Sequence, residues 1–254
     1  MKYKGYLIDL DGTMYKGNEK IEAAEFFVKT LKEKNIPYLF VTNNSTRTPE
    51  QVAEKLVSFG IPAKPDQVFT TSMATANYIY ERKPDASVYF TGEEGLRVAL
   101  EEKGFRFAGE DAEFVVIGLD RSINYEKFAI ACLAVRNGAT FISTNADIAL
   151  PTERGFMPGN GSLTALVQVS TQVQPIFIGK PEPIIVEQAL QKLGTKEEET
   201  LMVGDFYETD IMAGLRAGID TLLVHTGVTT KEQLEKYEKK PTYSVDSLAE
   251  WKFI

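Results

Sequence analysis

The chain has 254 residues, with 28 Lys+Arg against 36 Asp+Glu and a formal net charge of −8; hydrophobic residues make up 43% and charged residues 25%. This ordinary globular usage argues against disorder and coiled coil, and the acidic balance against nonspecific nucleic-acid binding. No apolar run approaches the ~18–20 residues of a membrane span, and Met1-Lys2-Tyr3-Lys4-Gly5 leads straight into a strand-like run, so neither a membrane anchor nor a signal peptide is expected. One cysteine, Cys132, leaves no intramolecular disulfide and no multi-cysteine metal site, and fits a cytoplasmic location. One histidine, His225, leaves no His-pair zinc chemistry. Carboxylates, hydroxyls, lysines and a hard cation remain for demanding chemistry.

In chain order, Tyr6–Leu10 reads as a short buried strand ended by Asp11-Gly12-Thr13. Ile21, Ala24, Val28 and Leu31 form the stripe of an amphipathic helix, and Tyr38–Val41 is a second apolar strand closing on Thr42-Asn43-Asn44-Ser45. Thr48-Pro49-Glu50-Gln51 opens a helix that stops before Gly60, with an N-cap, an N1 proline and a capping-box Gln. Val68–Thr70 is a third strand, with Ser72 expected to cap the helix after it. Strands at Ser87–Phe90, Phe114–Ile117 and Thr140–Ser143 alternate with helices over Glu93–Lys103 and Tyr125–Arg136. Residues 144–161, rich in Asn, Asp, Pro and Gly, read as one long irregular loop, which in a compact domain is usually functional. Pro175–Ile178, Thr200–Val203 and Thr221–Val224 resume the strands, with a helix ending near Gly218. Alternation of apolar strands with helices predicts an α/β fold whose parallel sheet is covered on both faces.

In open α/β sheets ligands bind beyond the carboxyl ends of the strands, so the polar residues following each apolar run are the candidates. These are Asp9 with Asp11, Thr42 with Asn43, Lys180, and Asp205 with Asp210. Singly, each has a bland reading as a turn or cap residue. Together, at successive strand ends, they make a phosphate-and-cation site. Asp9, Asp11 and Asp205 offer hard oxygen ligands for Mg²⁺. Asp9 can attack phosphorus, while Asp11 can protonate the leaving oxygen and then activate water. Lys180 and Mg²⁺ offset the charge of a phosphate dianion, and Thr42 holds its oxygens.

The order of these residues resembles the four motifs of the haloacid dehalogenase superfamily. Tyr6–Thr13 matches a hydrophobic strand followed by Asp-x-Asp-Gly-Thr, Leu39–Asn43 the second motif, Lys180 the third, and Val203–Asp210 the fourth. From Asp11 to Thr42 is 31 residues, whereas from Thr42 to Lys180 is 138, room for an inserted domain like the C2-type cap of that superfamily. Phe40–Ser45, and Asn145 to Gly161 with Leu150-Pro151-Thr152-Glu153 inside, are similar to the NagD-like, para-nitrophenyl phosphatase branch. The resemblance implies a Rossmann-like, doubly wound parallel-sheet core over residues 1–80 and 178–254, with an α/β cap over 81–177. It implies Asp9 as nucleophile and metal ligand, and Asp11 as general acid/base that ligates metal through its backbone carbonyl. It further implies Asp205 as the remaining protein ligand, Thr42, Asn43 and Lys180 as phosphate-binding positions, and Asp210 as an orienting acid. Relatives commonly carry Asn where this chain has Phe206, a departure expected to alter rate or selectivity.

The expected activity is Mg²⁺-dependent hydrolysis of small phosphorylated metabolites (sugar phosphates, nucleotides, para-nitrophenyl phosphate) through a phospho-aspartyl intermediate. A phosphotransferase or phosphomutase would share the first half-reaction, and a phospho-accepting receiver-like domain would share the clustered Asp, Thr and Lys. The long insertion and the Asp-x-Asp-Gly-Thr spacing weigh against the receiver. Asn145 and Asp147 are candidates for contact with the leaving group. Gly159-Asn160-Gly161-Ser162 reads as a Gly-rich turn with Ser162 as N-cap, or alternatively as a phosphate-binding nest. His225 reads as a structural side chain at a strand end, Cys132 as a buried core thiol and Trp251 as a packing residue. Neither nucleic acid nor membrane is an expected partner, and a homodimer through a cap face fits the pattern.

Overall fold

The structure is a computed structural model and describes residues 2–253. In chain order its strands are β1 (Gly5–Ile8), β2 (Tyr15–Lys16), β3 (Glu19–Lys20), β4 (Tyr38–Thr42), β5 (Val68–Thr70), β6 (Ser87–Thr91), β7 (Arg106–Phe107) and β8 (Phe114–Ile117). They continue with β9 (Thr140–Ser143), β10 (Ala149–Thr152), β11 (Gly155–Pro158), β12 (Ile176–Phe177), β13 (Thr200–Gly204), β14 (Asp220–Val224) and β15 (Tyr243–Val245). The helices are α1 (Glu22–Glu33), α2 (Pro49–Ser58), α3 (Thr71–Arg82), α4 (Glu94–Glu102), α5 (Tyr125–Arg136), α6 (Asn160–Thr171), α7 (Pro183–Leu193), α8 (Met212–Arg216) and α9 (Lys231–Glu235).

The chain forms two compact units: residues 1–42, 49–69 and 180–254 make one, and residues 43–48 and 70–179 the other. The expected boundary at residue 80 put α3 with the first unit. It belongs instead with the second, because it packs along α4 and its Thr71 hydroxyl donates to the Thr144 carbonyl. The six residues after β4 also belong there: Arg47 packs against Gly95, and the Ser45 hydroxyl accepts from the Leu119 N–H at 3.3 Å.

The first unit is a six-stranded sheet in the order β15-β14-β13-β1-β4-β5. β1 pairs parallel with both β4 and β13, and β13, β14 and β15 continue parallel. Alternation along the strands turns Tyr6 and Ile8, Tyr38 and Phe40, and Leu201 and Val203 to one face, where they bury against Phe27, Val28 and Leu31 of α1 and Leu56 of α2. Helices α7 and α8 pack on the same strands. Both faces are therefore dry, which is why the strands read as continuous apolar runs. The chain leaves β1 outward through β4 and β5, then returns to its other side at β13. That reversal opens a crevice beyond the carboxyl end of β1.

The second unit has a five-stranded sheet, β12-β9-β8-β6-β7, all pairings parallel, with Val115, Ile117 and Phe141 packed under Cys132 of α5 and Val167 of α6. Cys132 is a buried free thiol, as read from its helix face. Three local expectations are corrected. Residues 144–161 contain an antiparallel hairpin, β10 on β11, in which Ala149 pairs Pro158 and Thr152 pairs Gly155. None of its strand residues is buried, so the apolar alternation that marks a strand is absent. Thr70, rather than Ser72, caps α3, its hydroxyl accepting from the Met73 N–H at 3.2 Å. Gly159, rather than Ser162, is the N-cap of α6.

Candidate active site

Asp9 follows the last residue of β1 and donates its N–H to the Val203 carbonyl at 2.8 Å, which carries the chain out of the sheet beside β13. Asp205 follows β13 directly. Asp210 lies one wide helical turn later, at Tyr207–Ile211. Lys180 reaches the same point from the segment before α7: its Nζ donates to Asp9 Oδ1 at 2.5 Å, to Asp210 Oδ1 at 2.7 Å and to the Val41 carbonyl at 3.0 Å. The Lys180 side chain is 2% exposed, as is that of Asp210. Oxygens of Asp9, Asp205 and Asp210 lie within 4.8 Å of one another. Four groups from three sequence-distant segments thus meet at the crevice between β4 and β13.

Thr13 joins them. Its hydroxyl lies 3.1 Å from Asp205 Oδ1 and 3.5 Å from Asp9 Oδ2, tying two carboxylates together. Asp205 Oδ2 accepts the Val228 N–H at 2.7 Å, and Asp210 Oδ2 accepts the Phe206 N–H at 3.0 Å. The backbone comes so close that side chains are excluded: a Cβ on Gly12, where φ is +90°, would stand 2.2 Å from Asp205 Oδ2, and one on Gly227 1.7 Å from it.

The electrostatics follow from crowding. Burial first, then the Asp210 charge, raises the Asp9 carboxyl well above its ordinary value, with Lys180 pulling the other way. Burial and Asp210 push Asp205 up to about 7, against the opposing hydrogen bonds from Val228 and Thr13. Burial alone would lower the Lys180 ammonium, but Asp210 and Asp9 raise it above the usual lysine range. Three buried carboxylates face one ammonium, a local charge of −2 when all are ionised. At these separations each like-charge pair costs on the order of 3 kcal/mol at an effective dielectric of about 20. A hard divalent cation fits this donor set in charge and in ligand chemistry.

Of the residues expected at the site, Asp9, Lys180, Asp205 and Asp210 come together, and Thr42 ends β4 beside β1, buried at 7% exposure. The Asp11 side chain is outside the carboxylate cluster: it is exposed and accepts the Gly17 N–H at 3.3 Å. Asn43 belongs to the second unit, where its amide lies 3.4 Å from both Asp147 oxygens and its carbonyl accepts from the Asn145 amide at 2.9 Å. Asn145 Oδ1 in turn accepts the Asp147 N–H at 3.1 Å, so these three residues form one network. The nest alternative at residues 159–162 finds its donors in use, since the Gly161 N–H goes to the Asp147 carbonyl at 2.9 Å. His225 bonds Thr229 and Ser244 through its ring, and Trp251 packs in the main core with its indole N–H 3.3 Å from the Tyr6 hydroxyl. Sequence reading missed the roles of Thr13 and of residues 226–229. Thr13 stood inside the quoted first motif, and residues 226–229 follow β14 as the other candidates follow their strands.

Comparison with known proteins agrees with this geometry. A haloacid dehalogenase-like hydrolase family model matches residues 6–106, and a second, HAD-hydrolase-like, matches residues 177–251. The chain is 69% identical to the 5'-nucleotidase YutF of Bacillus subtilis, over 98% of this chain and 97% of that protein. It is 56% identical to an acid sugar phosphatase of Staphylococcus aureus, over 98% and 96% respectively. A thermostable NPPase double mutant from Geobacillus stearothermophilus superposes with a TM-score of 0.96 at 66% identity, over 100% of this chain and 99% of that one. The chain belongs to the haloacid dehalogenase-like hydrolases, a family whose phosphatases use a divalent metal. Within it, the chain falls in the NagD-like, p-nitrophenyl phosphatase branch. No helix among the described residues is long and apolar enough to cross a membrane.

Proposed function

We propose that the chain hydrolyses small phosphomonoesters, such as sugar phosphates, nucleotides and para-nitrophenyl phosphate, through a phosphoryl group carried on Asp9, with Mg²⁺ as the metal. The observation that carries this reading is the buried Asp9–Lys180–Asp210 constellation beside Asp205, at the point where the strand order of the core reverses. Asp9 and Asp205 would hold the ion, which when bound neutralises the crowded acids and polarises the phosphoryl oxygens.

In the first half-reaction an Asp9 oxygen bonds to phosphorus while the ester oxygen leaves with a proton from Asp11, whose exposed side chain is free of the carboxylate cluster. In the second, water loses its proton to Asp11 and attacks phosphorus, releasing phosphate and restoring the Asp9 carboxylate. Lys180 fixes the Asp9 rotamer and offsets charge as a dianion approaches, and the Thr42 hydroxyl serves the phosphoryl oxygens. Thr13 keeps Asp9 and Asp205 in register.

The test is phosphate release from a panel of those esters by the parent, Asp9→Asn and Asp11→Asn, with and without Mg²⁺. Asp9→Asn is expected to lose turnover at least ~10³-fold, the scale of removing a nucleophile. Hydrolysis by Asp9→Asn at the parent rate refutes the assignment.

A further inference from the structure

We propose that His225, the one histidine of the chain, is a positioning residue for the Asp205 carboxylate, acting through the loop at residues 226–229; the proposal rests on Asp205 being a ligand of the divalent cation. That loop is the mould in which Asp205 sits. The Val228 N–H donates to Asp205 Oδ2 at 2.7 Å, and the Thr229 N–H donates to the Asp205 carbonyl at 3.1 Å. Gly227 packs against the carboxylate itself, and the Thr226 hydroxyl donates to the carbonyl of Gly12, the other glycine under Asp205, at 2.7 Å. Any drift of the loop therefore moves the carboxylate.

The Val228 side chain is 53% exposed, and the loop is held at Thr229, which is buried and whose hydroxyl accepts the Tyr207 N–H at 2.8 Å. The imidazole adds a second anchor at the same residue. His225 Nδ1 lies 2.9 Å from the Thr229 carbonyl, and Nε2 lies 2.8 Å from the Ser244 hydroxyl on β15. A carbonyl only accepts, so Nδ1 carries the hydrogen, and in the neutral ring Nε2 then accepts from the Ser244 O–H. The His225 N–H adds a 3.0 Å bond to the Val245 carbonyl, fixing the base of the ring to the same strand. A continuous path of hydrogen bonds thus runs from β15 through the imidazole and Thr229 to the backbone carbonyl of Asp205, beside the Val228 N–H that meets its carboxylate. Partners outside the ligand set commonly orient metal-binding side chains in this way.

Two amides separate the halves of the bridge. Asparagine at 225 sets its N–H₂ near the Nδ1 position and keeps the bond to Thr229. Glutamine reaches the Nε2 position and keeps only the bond to Ser244. The experiment is calorimetric titration of Mg²⁺ alone into chelator-stripped parent, His225→Asn, His225→Gln, His225→Ala and Asp205→Asn, with the metal-free Tm of each. Expected is a Mg²⁺ Kd raised about fivefold in His225→Gln and His225→Ala but within about twofold in His225→Asn, below the ~10–100-fold loss of a direct outer partner. Should His225→Ala fail to fold, the Asn and Gln pair carries the comparison. Parent affinity in His225→Gln, while Asp205→Asn loses binding, overturns the proposal alone; so does equal weakening in Asn and Gln. Parent affinity in Asp205→Asn overturns the reading of Asp205 as ligand, and the role of His225 with it.

Discussion

Replacing Lys180 by methionine keeps the unbranched apolar stem, one atom shorter, and removes the charge from between Asp9 and Asp210. Nζ stands 2.5 Å and 2.7 Å from the two carboxylates, with 2% of the side chain exposed. At an effective dielectric of about 20, each contact is worth on the order of 6 kcal/mol of Coulomb attraction. Against that stands the several kcal/mol spent in stripping water from each buried ion. Deleting one partner leaves the others unpaired, and the expected net loss is about 3–5 kcal/mol. For a chain of this size that corresponds to a Tm fall of roughly 6–10 °C at pH 7.5 without metal.

The loss carries a pH signature. Without the ammonium, the folded Asp9 carboxyl, already held above its ordinary value, rises further. A carboxyl raised on folding penalises the folded state above its folded pKa, and that penalty fades as pH falls toward the unfolded value. The gap between parent and Lys180→Met is therefore wider at pH 7.5 than at pH 5. Calorimetric unfolding in chelator at both pH values measures it. Adding Asp210→Asn to Lys180→Met removes one repelling charge and is expected to recover part of the stability and none of the turnover. If Lys180→Met unfolds within ~1 kcal/mol of the parent at pH 7.5, the pair behaves like a surface ion pair and the reasoning fails.

Asp205 supplies a second pH test. Its carboxyl is raised from 3.8 to about 7, so metal-free protein loses stability as pH climbs through that interval, by on the order of 4 kcal/mol. Asp205→Asn is expected to flatten that slope, leaving the part due to Asp9, and Mg²⁺ to stabilise the parent more at pH 7.5 than at pH 5; a stability difference between parent and variant that ignores pH contradicts this. Gly12→Ala puts a Cβ both at φ +90° and 2.2 Å from the Asp205 carboxylate. It is expected to lose about 1–2 kcal/mol to backbone strain and Mg²⁺ affinity besides, read by Tm and metal titration.

The helices and central strands were legible because their apolar periods are strong: α5 spans Tyr125–Arg136 and β8 Phe114–Ile117, as the pattern alone predicts. The hairpin at 149–158 was hidden because both its strands face largely outward, leaving no buried face to alternate. The two-residue strand β7 is exposed on both residues and offers no period at all. At the site, residues at strand ends could be named from order and spacing, since the sheet fixes where each strand finishes. Two things lay beyond that logic. Asp210 shares Lys180 with Asp9 because a wide helical turn folds it back, and spacing to Asp205 does not encode that turn. Thr13 acts through a hydroxyl and Val228 through a backbone N–H, each brought to Asp205 by the path of the chain, which residue type does not reveal.

The assignment of residues 43–48 to the second unit bears on how this architecture can be edited. The chain passes between the two units at four peptide bonds, after Thr42, Thr48, Phe69 and Gly179, so the second unit is not one continuous insert. Cutting out residues 70–179 strands a six-residue segment whose neighbours Gly95 and Leu119 have gone. Two of the four junctions touch Thr42 and Lys180 directly. A chimera that borrows its second unit from a relative must therefore carry both segments across together, with the splice made next to residues that the chemistry can least afford to disturb.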